Sequence, residues 1–508
     1  MQSTVKCGFL LSVALGIWAL LGSVSRAQQA TPSLEKVLDE GVAAYKLLAE
    51  RQGDTEEFSA NMARGYLTTA LLKVGRRQNA ESLYADDETK RRFLIAAEDS
   101  LVEITGVLPK IADGTPPQEE LLRRHSWAMA FARRGDFRRV AEQAAEYPEQ
   151  PGAVSYKIRL YRSIVEQQLE RKDVAGARES LDKLAAMIRH VEVDDSQVKA
   201  DYLLDLARLS CQAGELARAR EACRMADEIL RPLFRVDQRS PYGIGFSFRE
   251  LATLQAQSGE PAQARDLLVF FRQRITSLKD EREQAHLLFD LEIATARVAE
   301  SSGRKKDALT AYDRALKWGI REVELETPNP LTNAIRESEF LNAFFSLADN
   351  SHFRTVALGQ LKTGDLKAAM ETWKQMPLCF NKPSTLLEMA EILHERGDTE
   401  EARKLATRCA EMIRPEFTAE DYVLVTSFVA NIHRAVGDDA AARDVLEKLT
   451  ASPRVKESAK AQQMVASEFM NLHLYPQAYA LIQSIESPAN RALPLAKLAH
   501  ALLKSTGQ

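Results

Sequence analysis

The sequence predicts an all-α fold, a superhelical α-solenoid of about ten antiparallel helix pairs, and three observations predict it. The first is a repeated phrase: a glycine, usually then an acid, and alanine five residues after the glycine. The second is a composition in which Ala, Leu, Glu and Arg recur and aromatic residues make up only 7%; the recurring residues lose least on entering a helix. The third is that no run of Val, Ile and Thr stands out at the two-residue period of a strand. At 508 residues the chain is too long for one ordinary core, which calls for several domains or a continuous array. Its 45% hydrophobic and 28% charged content is that of a globular protein.

Residues 1–27 read as a secretory signal peptide. Lys6 supplies the positive start, Cys7 to Leu21 the apolar stretch, and Ser25-Arg26-Ala27 a small-x-small cleavage site. A spanning helix needs about 20 apolar residues, more than this stretch offers, so an uncleaved anchor is the weaker reading. Cys7 precedes the apolar stretch and so stands in the wrong place for a lipoprotein acceptor. No second apolar segment follows, and the mature chain is expected to be exported, periplasmic or secreted, with cleavage after Ala27 and no membrane span. Removing Lys6 and Arg26 from the 68 basic residues leaves 66 against 72 acidic ones, a net charge of −6. Mild, dispersed negative charge argues against a nucleic-acid partner, which favours a basic face.

After an N-terminal helical region at 33–113, the phrase organises the chain. It occurs at Gly75, Gly214, Gly259, Gly303, Gly364, Gly397 and Gly437, with degenerate copies at Gly135, Lys172 and His473. Most anchors lie 33–45 residues apart, the period of stacked two-helix repeats. In one unit, Leu203, Leu206 and Leu209 form an apolar stripe at helical spacing before Gly214 ends the helix. Glu215 follows at the start of the next helix, where its charge suits the dipole. Asp136, Asp365, Asp398 and Asp438 hold the same place and are expected to cap a backbone amide. The alanine, here Ala219, falls where the second helix passes closest to the first. Ile188-Arg189, Leu230-Arg231 and Ile413-Arg414 lie at one distance beyond their anchors and mark the ends of long second helices, two of them followed by Pro232 and Pro415.

Two intervals are irregular. Leu108–Glu120 interrupts the first, with Pro116-Pro117 placed to open a helix, and Gly319–Ala334 connects across the second. They set the boundaries of a central array at 117–322 and a C-terminal array at 330–506. Gly243 and Gly245 in the stretch Asp237–Phe246 form a lone Gly-x-Gly with no strand before it, which reads as a helix linker rather than a phosphate loop.

The best unit, Arg297–Trp318, places Gly303, Ala308, Tyr312 and Ala315 in the order small, Ala, aromatic, Ala. This resembles the tetratricopeptide repeat. The unit at Gly214 keeps Ala219 and Ala226 but has Cys223 in the aromatic place, and Val140 replaces alanine after Gly135. The resemblance implies units stacked in a right-handed superhelical α-solenoid with the first helix of each pair lining a concave groove, and protein or peptide binding as the function. Carried over unit by unit, it points Arg162, Arg249 and Arg354, ten residues before their anchors, and Arg208 and Arg297, six before, into that groove. Arginine offers a planar fork suited to the carboxylates of an extended peptide. The plainer reading has these arginines pairing with Glu166, Asp205, Glu250 and Asp290 on the same surface.

Chemistry-bearing motifs are not found. The eight histidines, His125, His190, His286, His352, His394, His433, His473 and His500, form no metal-ligand spacing, and no Gly-x-Ser-x-Gly elbow is present. No cofactor, metal or catalytic residue is therefore expected. The four cysteines of the mature chain are too sparse for a disulfide scaffold; Cys211 and Cys223 flank one turn and read as a bridge or, better, as two buried thiols. The leading expectation is an exported, non-catalytic interaction scaffold. The alternative is a polysaccharide-acting enzyme on an α/α toroid, with Tyr242 and His352 as first candidates, although Trp127, Trp318 and Trp373 are few platforms for a sugar.

Overall fold

The computed structural model describes residues 31–506 except 51–53, 85–86, 112–114, 148–151, 192–195, 235–241, 326–346 and 378. The expected signal peptide lies outside the described residues. Among those described, all regular structure is helical and no helix is long and apolar enough to cross a membrane.

The turn phrase acts as a repeated stop-and-restart device. Gly75, Gly135, Gly214, Gly259, Gly303, Gly364, Gly397 and Gly437 all have positive φ, and the two described non-glycine residues with positive φ are Lys172 (62°) and His473 (56°). These ten are the ten anchors. The geometry is that of a Schellman ending. At the turn of Gly214 the Gly214 amide donates to the Cys211 carbonyl at 3.1 Å and the Glu215 amide to Ser210 at 2.8 Å. Lys172 keeps the same pair of bonds, to Leu169 at 2.9 Å and from Asp173 to Gln168 at 2.8 Å. Asp136, Asp365 and Asp438 cap the following helix as expected, whereas Asp398 makes no cap bond. Asp173 caps as well, accepting from the Gly176 amide at 2.9 Å.

Five residues beyond each anchor the side chain is fully enclosed. Ala80, Val140, Ala177, Ala219, Ala264, Ala308, Ala369, Ala402, Ala442 and Ala478 are all 0% exposed. A small residue there lets the two helices of a pair approach, which is the condition for stacking a shallow unit on its neighbour.

By packing, the chain divides into two compact units. One comprises residues 105–411 and 431–437. Its helix pairs are α5 (Pro117–Arg134) with α6 (Phe137–Ala145), α7 (Ala153–Glu170) with α8 (Val174–His190), α9 (Ser196–Gln212) with α10 (Leu216–Leu233), α11 (Tyr242–Gln257) with α12 (Pro261–Ile275), α13 (Glu281–Ser301) with α14 (Lys305–Glu324), α15 (Leu347–Thr363) with α16 (Leu366–Gln375), and α17 (Asn381–Glu395) with α18 (Thr399–Ala410). Pro117 does open α5, in its first turn. A continuous apolar core runs from Ile158 through Leu181, Leu206, Leu230, Phe248 and Phe271 to Leu291, and Phe248 stacks on Phe271 with ring centroids 5.0 Å apart.

The other unit comprises the described residues of 31–104, 412–430 and 438–506, so both ends of the described chain share one core. It holds α1 (Leu34–Ala49), α2 (Asp54–Lys73), α3 (Arg77–Glu81) and α4 (Asp87–Thr105). From the C-terminal part come most of α19 (Ala419–Ala435), then α20 (Asp439–Ala451), α21 (Pro453–Glu457), α22 (Ala459–Asn471), α23 (Tyr475–Gln483) and α24 (Ala492–Thr506). Val37, Leu38 and Leu48 of α1 are buried in the same cluster as Leu67, Leu495 and Leu498. Glu40 of α1 accepts from Tyr479 at 2.8 Å and from Gln483 at 2.6 Å.

Three local expectations change. Gly319 lies inside α14, which runs on to Glu324, rather than opening a connection. Gly243 and Gly245 are helical in α11, and at Gly245 an added Cβ would stand 2.4 Å from Leu287, so glycine there permits close helix packing. Ile413-Arg414 falls beyond α18, which ends at Ala410, while Arg189 and Arg231 do lie in the last turns of their helices.

Candidate functional site

The five arginines singled out by the repeat stand on first helices of the pairs in the 105–411 unit, and the structure separates their roles. Arg162 of α7 bonds Asp205 of α9 at 2.7 Å and Glu166 at 3.3 Å. Arg208 pairs with Asp205 and lies 3.6 Å from both Glu166 and Glu250. Burial is the largest single influence on Arg208 and opposes its charge, but the Asp205 hydrogen bond and the charges of Asp205, Glu250 and Glu166 together outweigh it and raise its pKa. Arg249 donates to Asp290 of α13 at 2.6 Å, and burial lowers the arginine and raises the carboxyl, each countered by its partner. These three cations are thus held in a ladder of acids across α7, α9, α11 and α13. Half-buried ion pairs of this kind add little to stability, because desolvation offsets much of their attraction.

Arg297 and Arg354 are brought together elsewhere. Both line a cavity of about 480 Å³ whose walls come from α11, α13, α14, α15 and α17. Arg354 is bound in a fork by Glu388, at 2.8 and 2.7 Å. Arg297 takes part in none of the described salt bridges, and it faces the Tyr312 hydroxyl, which burial and then Glu300 push upward in pKa. Tyr312 donates to Glu300 at 3.1 Å. The aromatic position of the best repeat is therefore wall as well as core. Gly359 makes room for it, since a Cβ there would stand 2.2 Å from the Tyr312 ring. With Arg297, Arg354 and Lys362 against Glu300 and Glu388, the cavity carries a small positive excess.

A second cluster was not visible in the sequence. His286 of α13 lies with Nδ1 3.0 Å from Glu322 of α14, and His352 of α15 with Nε2 3.2 Å from the same carboxylate. Burial works against the Glu322 charge, yet hydrogen bonds from His286 and His352 prevail and hold its pKa at about 2. The three residues each offer a ligand atom within 4.8 Å of the others. They sit on three helices, far apart in the chain, so no short motif announces them; only the fold collects them.

The toroid candidates fare differently. His352 is a buried residue of a helix, and Tyr242 begins α11, with its side chain outside the described features. Trp127 and Trp373 are buried in the core, leaving Trp318 half-buried, so none offers an open sugar platform. Cys211 and Cys223 are thiols, and burial raises the pKa of both.

No family model matches the chain, and no curated protein matches it in sequence. Among solved structures, it is similar to Ton1535 from Thermococcus onnurineus NA1, with 14% identity, a TM-score of 0.31, and coverage of 74% of this chain and 98% of that one. A Rap protein complexed with competence and sporulation factor gives 12% identity, a TM-score of 0.27, and coverage of 92% and 100%. A signal-transduction ATPase with a tetratricopeptide repeat sensor from Pyrococcus horikoshii gives 12%, 0.25, and coverage of 90% and 68%. On the geometry of its own turns and enclosed alanines, the chain is an all-α array of tetratricopeptide-like helix pairs.

Proposed function

We propose that the chain is an exported, non-catalytic interaction scaffold that holds an acidic, extended segment of a partner protein in the cavity of the 105–411 unit. The observation that carries this reading is Arg297. It lines a 480 Å³ cavity with no described salt-bridge partner, while Arg162, Arg208, Arg249 and Arg354 are all matched by acids. A guanidinium beside an open cavity recognises a carboxylate through two parallel hydrogen bonds. Thr253 and Gln257 of α11 line the same cavity and offer polar groups to a peptide backbone. Arg354, already forked to Glu388, orients that wall instead of reaching for the ligand.

The test uses the mature chain and an array of acidic, neutral and basic extended peptides. Acidic peptides are expected to bind, and Arg297→Ala to weaken them by about ten- to a hundredfold, the range for a hydrogen bond to a charged group. Arg162→Ala, on the paired ladder, is expected to leave binding unchanged. Equal binding of all three peptide classes, or indifference to Arg297→Ala, would sink the reading. Export is tested separately: the N-terminus of the protein recovered from its native source should be Gln28.

A further inference from the structure

The peptide-binding reading leaves His286, Glu322 and His352 without a task. We propose that these three side chains form a binding site for a divalent transition-metal ion of the zinc class.

The donor set is the first argument. Two imidazoles and one carboxylate suit zinc and its neighbours, and three protein ligands leave a fourth position for water. Nitrogen and oxygen ligands 2.0–2.1 Å from a tetrahedral ion lie about 3.3 Å from one another. Here His286 Nδ1 and His352 Nε2 lie 3.0 and 3.2 Å from oxygens of Glu322, with the three ligand atoms all inside 4.8 Å. The spacing needs only small side-chain shifts to admit an ion.

Charge is the second argument. Asp290, the other acid nearby, is matched by Arg249 at 2.6 Å. Glu322 has no Lys or Arg in its described ion pairs, only the two imidazoles. Apart from those two hydrogen bonds, nothing positively charged faces this buried carboxylate among its described ion pairs, and a buried charge is stable only when paired. A divalent cation supplies the missing charge and uses a lone pair from each ring.

Placement is the third. His286 turns its second nitrogen, Nε2, toward Asp290 at 3.7 Å, longer than a hydrogen bond but on the side where an outer carboxylate commonly orients a metal-bound histidine. His352 Nδ1 is buried without a hydrogen-bond partner, and the ring is held by its Nε2 contact to Glu322 and by packing on Phe289, with ring centroids 4.2 Å apart. Gly319 creates the space the ring occupies: a Cβ there would stand 2.8 Å from that of His352. His286 is the most open of the three, its side chain 23% exposed against 10% for His352, which gives the ion one way in. Once bound, it would tie α13 and α14 to α15 across the long interval between Gly303 and Gly364.

The experiment takes the full mature chain, stripped with chelator, and titrates Zn²⁺ by calorimetry and Co²⁺ by visible absorption. One ion per chain is expected, with the intense cobalt bands of a four-coordinate nitrogen–oxygen site. His286→Gln, His352→Gln and Glu322→Gln should each weaken binding by about a hundredfold, since even outer partners cost ten- to a hundredfold. His394→Gln, an exposed histidine, should change nothing. Should the variants fold poorly by circular dichroism, zinc-edge X-ray absorption on the native chain decides alone, two imidazoles at about 2.0 Å being required. No ion bound, binding that follows His394, or a zinc spectrum with fewer than two imidazoles would overturn the site. The trio would then be a hydrogen-bonded carboxylate held between two core histidines.

Discussion

At the scale of single residues, the anchors show what a turn demands and where the chain departs from it. Eight of ten are glycine, for which a left-handed backbone carries no steric cost, whereas Lys172 and His473 hold φ of 62° and 56° with a side chain attached. An L-residue in that region is disfavoured by roughly 1–2 kcal/mol, partly offset because glycine loses more freedom on folding. Lys172 is exposed and takes part in none of the described side-chain hydrogen bonds or ion pairs. Lys172→Gly is therefore expected to stabilise the 105–411 unit by about 0.5–1 kcal/mol, read as a higher urea midpoint at unchanged slope. A lower midpoint would show that the Lys172 side chain contributes something the turn geometry does not reveal. The glycines and the alanines were legible because a turn accepts few residue types. The state of each arginine was not: Arg297 and Arg162 look alike in sequence, and only the acids brought from neighbouring helices distinguish them.

At the scale of the element, the unit is a helix pair whose separation is set by one small side chain. Ala308 is 0% exposed where α14 passes α13, and Tyr312 and Ala315 continue the same buried face. Enlarging that position has no room to relax, since the neighbouring face packs as tightly as the rest of the core. Ala308→Leu is expected to cost about 1–3 kcal/mol, while Lys305→Leu on the exposed start of the same helix should stay within about 0.5 kcal/mol. Denaturant unfolding of the two variants side by side checks it, and equal effects would remove the idea that the alanine sets helix spacing. Helix starts were mostly readable from Asp at the turn. Asp398 is the exception, having the right residue and position without the bond, because capping depends on a rotamer that spacing does not determine.

At the scale of the whole chain, repetition announces stacking but not which units share a core. Each repeat resembles the next, so nothing local in α1 says that it packs on α24, some 440 residues away in sequence, where Tyr479 of the adjoining α23 reaches Glu40 (439 residues apart). The metal cluster was hidden for the same reason: its ligands are ordinary helix residues until three helices converge. The shared core of the chain ends carries the last prediction. In α1, Val37, Leu38, Tyr45 and Leu48 are buried with Leu67, Leu495 and Leu498, and Gly41 lets the helix close on Leu67 and Leu495. Burying each large apolar side chain contributes about 1.5–3 kcal/mol, so removing four subtracts a sum comparable to the typical 5–15 kcal/mol of a domain. A chain shortened to begin at residue 50 should lose hydrogen-exchange protection throughout α24 and α2, while α9 to α14, whose core is built from other residues, keep theirs. Protection of α24 surviving the deletion would mean that α19 to α24 hold together without the N-terminal helix, and that α1 is an ornament on that core instead of part of it.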